Sequence, residues 1–141
     1  MRTLLVASVL VLTGTLLAGC ASEGGGDITG KTWHLISITT NTPKFAAIVP
    51  AESQGTYTID FAVDGTFAAK ADCNQVAGTY TIQGKAVLTI KPGPSTLAAC
   101  PAGSFGAEYV AALAQASSYS TAANQMTITL LDNGTLGFQT T

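Results

Sequence analysis

From residue 31 onward, large apolar side chains alternate with threonine and charge, the period-two signature of strands with one buried face. Tyr57, Ile59 and Phe61 alternate with Thr58 and Asp60, and Tyr80 and Ile82 with Thr79, Thr81 and Gln83. Met126, Ile128 and Leu130 alternate with Thr127 and Thr129, and Leu136 and Phe138 with Thr135, Gly137 and Gln139. Asp64-Gly65, Gln83-Gly84 and Asn133-Gly134 fall between such runs and supply a glycine where a tight hairpin needs φ > 0. The pattern predicts strands over 31–39, 56–62, 66–72, 76–82, 86–91, 118–122, 126–131 and 135–140. Short turns between most of them imply antiparallel, up-and-down pairing. In the first strand Trp33 and Leu35 share a face, although Ile36 and Ile38 load the other.

One segment breaks the rhythm. Phe105, Tyr109, Ala112, Leu113 and Ala116 recur at helical spacing, predicting a helix capped by Ser104 and running to about Ala116, with Glu108 near its positive end. The Pro-rich stretch Lys91-Pro92-Gly93-Pro94-Ser95 is expected to be a surface loop, since proline cannot sit in a central strand. The fold class that follows is mainly β: a small antiparallel up-and-down β-barrel-like meander of about eight strands with one helix packed on it. Its inward set is Trp33, Tyr57, Ile59, Phe61, Phe67, Tyr80, Leu88, Met126, Ile128 and Phe138.

The N-terminus follows a different logic. Met1-Arg2 and the apolar run Thr3–Ala18 form a stretch shorter than the ~20 residues a spanning helix requires, and it reads as an export signal. It ends in Leu17-Ala18-Gly19-Cys20, which resembles the lipobox of bacterial lipoproteins. That resemblance implies cleavage before Cys20 and acylation of Cys20, hence a membrane partner through the lipid; the alternative is an ordinary signal in which Cys20 is incidental. More than one acyl chain gives stable attachment. The expected organisation is a signal peptide over 1–19, a lipidated Cys and flexible tether over 20–29, and one domain over 30–141. The protein is then exported and held at a membrane face of the cell envelope.

Composition narrows the chemistry. Six Lys+Arg against eight Asp+Glu give a net charge of −2, and no basic footprint for nucleic acid. One His and three Cys are too few for most zinc sites, and no cofactor or metal is assigned. With Cys20 set aside, an exported chain has two thiols left, Cys73 and Cys100, whose even number suggests a disulfide; two buried free thiols are the alternative.

Several motifs, taken in order, resemble the META domain family. They are Gly30-Lys31-Thr32-Trp33-His34-Leu35, Tyr57-Thr58-Ile59-Asp60-Phe61 with Asp64-Gly65, Cys73-Asn74-Gln75-Val76-Ala77-Gly78-Thr79-Tyr80, and Thr96-Leu97-Ala98-Ala99-Cys100. Trp33, Asn74, Gly78, Tyr80 and Thr96 are the motif positions carried over. The resemblance implies a small antiparallel barrel-like domain with a helix between the last motif and the final strands, and an association with stress. Members often carry a basic residue where this chain has Gln75 and Leu97, and an aromatic where it has Val76. A role resting on those cations is therefore not implied here.

The candidate chemistry is sparse. The loop from Cys73 to Gly78 is either a ligand contact or a turn that Asn74 and Gly78 shape and Cys73 staples. His34 is the single histidine; it alternates away from Trp33 and Leu35, and no nucleophile motif accompanies it. Asp60, Asp64 and Asp72 are the remaining acids of interest, explained by a turn at Asp64 and by outward alternation at Asp60 and Asp72. With no catalytic residues assigned, the expected function is a non-enzymatic, lipid-anchored envelope protein that binds an envelope component or supports envelope integrity under stress. The alternative is a carrier of a small apolar ligand inside the barrel; a hydrolase ranks last.

Overall fold

A computed structural model describes residues 25–141; the export signal and Cys20 lie outside the described residues. Nine strands form one antiparallel sheet: β1 (Thr32–Asn41), β2 (Lys44–Ile48), β3 (Tyr57–Phe61), β4 (Thr66–Ala71), β5 (Asn74–Gln83), β6 (Val87–Ser95), β7 (Ala116–Ala122), β8 (Gln125–Leu130) and β9 (Thr135–Gln139). A 3-10 segment (Ala51–Thr56) leads into β3, and helix α1 (Gly106–Leu113) precedes β7. Strands β3 to β9 follow one another around the sheet and β9 pairs back onto β1, so eight strands close a barrel and β2 hangs from β1 as a ninth. The meander predicted from alternation is the architecture observed.

The sequence missed β2. Its five residues, Lys-Phe-Ala-Ala-Ile, follow Pro43 and precede Pro50, and only Phe45 and Ala47 are half-buried, so the alternation is faint. β1 divides one edge between two partners, pairing through Thr32–His34 with β3 and through Ser37–Asn41 with β2. A bulge between Leu35 and Ser37 in its pairing with β9 resolves the conflict in β1. The extra residue resets the alternation, so Trp33, Leu35 and Ile38 are all buried while Ile36 is only half-buried.

Two further expectations are corrected. Lys91–Ser95 is not a loop but the second half of β6, pairing with β5 through Gly78↔Pro92 and Val76↔Ser95. Proline is tolerated there because β6 meets β7 at the single pair Val87↔Ser118, leaving its outer edge without ladder partners where Pro92 and Pro94 lie. The helix is shorter than its apolar spacing suggested. It starts at Gly106 with Phe105 at the cap, Ser104 Oγ accepting only a 3.3 Å bond from Gly106 N, and it stops at Leu113. Ala116 is already in β7, opposite Leu130, because pairing with β8 satisfies its backbone where further helix would not. The turns behave as expected at Gly65 (φ 86°) and Gly84 (φ 58°); at the third, the left-handed residue is Asn133 (φ 62°), not Gly134.

All ten residues of the inward set are buried and join one core with Ile90, Leu130 and Leu136. The carrier alternative places a ligand in this space, into which these bulky side chains project. Antiparallel register gives the barrel two distinct ends. One holds the turns 62–65, 84–86 and 123–124 with the start of β1; the other holds the turns 42–43, 72–73 and 131–134 with α1.

Each end is stoppered differently. At the helix end, Tyr109 and Leu113 of α1 are fully buried, and the Tyr109 hydroxyl donates to Thr58 O at 3.2 Å. At the opposite end residues 25–30 cross the mouth. Gly25 N donates to Lys85 O (3.0 Å) and Gly26 N to Thr121 Oγ1 (2.8 Å), while Gly30 N reaches Phe61 O (3.3 Å) on the opposite wall. Ile28 is buried between these moorings, and Trp33 Nε1 donates to its carbonyl at 2.9 Å. Residues 25–29, which the sequence assigns to a flexible tether, are thus part of the fold. The error came from composition: Gly24-Gly25-Gly26 reads as linker, but one apolar residue two places on supplies the stopper.

Candidate functional site

Two of the sequence motifs, Cys73-Asn74 and Thr96 to Cys100, meet at the helix end, and together they build a clasp. Cys73 and Cys100 form a disulfide with Cα atoms 5.4 Å apart. Beside it, Asn74 uses both ends of its amide. Its Oδ1 accepts from Ala98 N (2.8 Å) and Thr96 Oγ1 (3.0 Å), and its Nδ2 donates to Ala98 O (3.1 Å). Thr96 Oγ1 in turn accepts from Gln75 N at 2.9 Å. Asn74 and Thr96 thereby tie the segment after β6 to the β4–β5 turn in the manner of an added strand end. Asp72 supplies the left-handed residue of that turn (φ 61°), not an outward strand position, and its N–H donates to Thr56 O at 2.8 Å.

The other motif residues serve the wall and the far end. A Cβ on Gly78 would collide with Lys91 O and with the Phe67 ring, so only glycine lets β5 pass the bulge beside Pro92. Tyr80 stacks edge-on to Phe61 at 4.8 Å and donates its hydroxyl to Ala62 O at 2.7 Å, holding the β3–β4 turn. Burial raises the Tyr80 phenol above its ordinary pKa, with Asp27 adding to the effect. Of the departures from the family pattern, Val76 is buried in the core while Gln75 and Leu97 are exposed.

At the same end of the barrel lies a cleft of about 370 Å³, between the β1–β2 hairpin and α1. Thr40, Pro43 and Phe45 form one wall, Ala107 and Ala111 the other, and Ala112 and Leu130 the floor. Its volume is in the range of small-ligand pockets. The hairpin wall is fixed from two sides. Phe45 packs against Phe105 (6.0 Å), which stacks face to face on Tyr57 (4.2 Å, 1°), which meets Tyr109 edge-on (6.1 Å). This aromatic ladder runs from the cleft into the core. On the other side the Asp132 carboxylate accepts from the backbone N–H of Asn41 (2.6 Å), Gly134 (2.7 Å) and Thr42 (2.9 Å). Those donors hold its pKa below the usual carboxylate range, so a negative charge stays at the rim, near Glu108.

Sequence reasoning named none of these cleft residues as a site. Asp132 carried a signal: it precedes Asn133-Gly134 in a turn, where an Asp side chain commonly binds nearby backbone N–H groups. Nothing in the sequence brought the β1–β2 turn to it.

The acid–base candidates do not assemble. His34 is half-buried rather than turned to solvent, with Nδ1 3.1 Å from Gln54 O. Asp60 accepts from Thr32 Oγ1, and Asp64 from Thr66 N (3.0 Å) and Oγ1 (2.6 Å), the latter pair holding its pKa low. Asp72 is a full strand length away at the other end of β4. Among the described residues no group of three His, Cys, Asp or Glu side chains could hold a metal, and no helix is long and apolar enough to cross a membrane.

Comparison with known proteins agrees with this architecture. Among solved structures, the fold is similar to an NMR structure of a protein from Burkholderia xenovorans (TM-score 0.59, 21% identity, covering 81% of this chain and 83% of that one). It is also similar to a crystal structure of a DUF4847 family protein from Bacteroides vulgatus (TM-score 0.57, 18% identity, covering 79% of this chain and 93% of that one). No curated protein matches the chain. The model of the META domain matches residues 26–141, nearly the whole described region including the segment that stoppers the barrel. The chain belongs to the META domain family.

Proposed function

We propose that this protein is a non-enzymatic binding module of the cell envelope, attached through an acylated Cys20 and working through the cleft between the β1–β2 hairpin and α1. The observation that carries the reading is the cleft itself. It has apolar walls, a shape fixed by the aromatic ladder and by Asp132, and a persistent negative rim, all properties of a receptor. The groups that acid–base catalysis would recruit are committed elsewhere, Asp64 to its turn and His34 to the 3-10 segment.

A small apolar ligand, if carried, belongs in the cleft rather than the barrel interior, because core side chains occupy the interior. The test places a photo-crosslinking residue at Ala111 in the full chain within its native envelope. The reading expects a discrete adduct that is lost when Phe45→Asp places a charge in the wall. An adduct indifferent to Phe45→Asp contradicts it. Attachment is checked separately by Cys20→Ala, expected to release the protein from the membrane fraction. Sensitivity of a deletion strain to heat or envelope stress tests the stress role.

A further inference from the structure

The position of the first described residues bears on how the domain meets the membrane. Gly25 and Gly26 are moored to Lys85 of the β5–β6 turn and to Thr121 and Tyr119 of β7, at the end of the barrel opposite α1. From Cys20 to Gly25 there are five Cα–Cα steps, which even fully extended reach no more than about 18 Å. A six-residue strand such as β4 or β8 is itself roughly 20 Å long. An anchor leaving from one end of the barrel on so short a lead cannot let the other end turn to the same surface.

We infer that the end bearing the turns 62–65, 84–86 and 123–124 faces the lipid surface, and that the cleft and disulfide clasp face away from it. The inference rests on Cys20 being the acylated residue and deepens the proposed function by fixing which surface a partner can reach. Exposed apolar side chains do not choose the orientation. Val63, Ile82 and Val87 project at the moored end, and Leu97 and Leu131 at the helix end. Charge does not choose it either, since Lys31 and Lys85 at the moored end are offset by Asp27 and Asp64. The mooring of residues 25 and 26 decides. On this arrangement Leu97, Leu131 and the cleft are presented to the aqueous side, where a partner in solution or on an opposing surface meets them.

The test uses the full chain purified with its acyl groups and reconstituted in phosphatidylethanolamine–phosphatidylglycerol vesicles, with and without brominated acyl chains. Tryptophan is introduced at an exposed position of either end, V63W or L131W, and quenching is read relative to the parent, whose Trp33 is buried. The expected result is at least a twofold greater quenching increment for V63W than for L131W. Equal increments, or a larger one for L131W, overturn the orientation. Intact mass separates the two ways of failing. A chain without acyl groups on Cys20 removes the anchor reading and the inference with it, whereas an acylated chain with equal quenching removes the inference alone.

Discussion

The two ends of this barrel solve the same problem with different materials. At one end an eight-residue helix lowers Tyr109 and Leu113 into the core, and a disulfide and an asparagine lock the approach to it. At the other, six residues of extended chain cross the mouth and one isoleucine fills it, held by five hydrogen bonds with Lys85, Thr121, Tyr119, Trp33 and Phe61. The helix end is covalently stapled and carries the cleft. The extended end is secured by short-range bonds and leads directly to the proposed anchor. The disulfide and the cleft thus sit together at one end, and the chain's first described residues are moored at the other.

Breaking the helix end most severely means removing its stopper. Tyr109→Ala deletes a fully buried aromatic whose phenol pKa burial has pushed well up, and leaves the Thr58 carbonyl without its donor. By analogy with buried aromatic truncations it should cost about 3–5 kcal/mol, read as a lowered urea midpoint with unchanged slope. Next comes the staple. Replacing Cys73 and Cys100 together by alanine opens a loop of sequence separation 27, for which chain entropy gives about 3–4 kcal/mol. The same loss should follow from a reductant acting on the unaltered chain. Asn74→Ala leaves the backbone N–H and carbonyl of Ala98 without their amide partner, costing about 1–3 kcal/mol and speeding hydrogen exchange at Ala98 more than at Gly26.

The smallest effect is electrostatic and sharpens the comparison across both ends. Asp132 at the helix end, and Asp27 and Asp64 at the extended end, all have pKa values lowered by hydrogen bonds. For Asp132 the largest cause is the backbone N–H of Asn41, for Asp27 that of Thr29, and for Asp64 the Thr66 hydroxyl. A depressed folded pKa contributes stability above the ordinary carboxylate range, which is lost as pH falls through the lowered values. Asp27 and Asp64 are exposed and Asp132 is half-buried at the surface, so the loss should be gradual. Asp132→Asn should flatten part of the decline in urea midpoint between neutral and strongly acidic pH, leaving the part due to Asp27 and Asp64.

Much of the wall of this barrel was legible. Tyr57-Ile59-Phe61 and Met126-Ile128-Leu130 alternate cleanly because each strand turns one face into the core, and the structure buries that face in both; the outer face departs from the pattern at Thr58, which is buried. Legibility failed where local pattern and tertiary context disagree. β2 shows little alternation because it hangs off β1 with only Phe45 and Ala47 half-covered, and β6 carries prolines because its outer edge lacks a ladder partner. Residues 25–29 read as tether because a stopper of one isoleucine, Ile28, leaves no periodicity to detect. At the candidate site, Asn74, Thr96 and the two cysteines were visible as motifs, and Thr96 and Asn74 are found bonded to each other. The cleft was not visible, since Phe45, Ala111 and Asp132 come from three distant segments that only the closed barrel brings together.

The difference between the two ends is tested most directly by comparing a chain that starts at Gly25 with one that starts at Gly30, both with the disulfide intact. The account predicts that the shorter chain melts at lower temperature and that Trp33 emission shifts to the red, because Ile28 no longer covers the mouth and its carbonyl no longer takes the indole N–H. Identical melting and identical Trp33 emission in the two chains would contradict it.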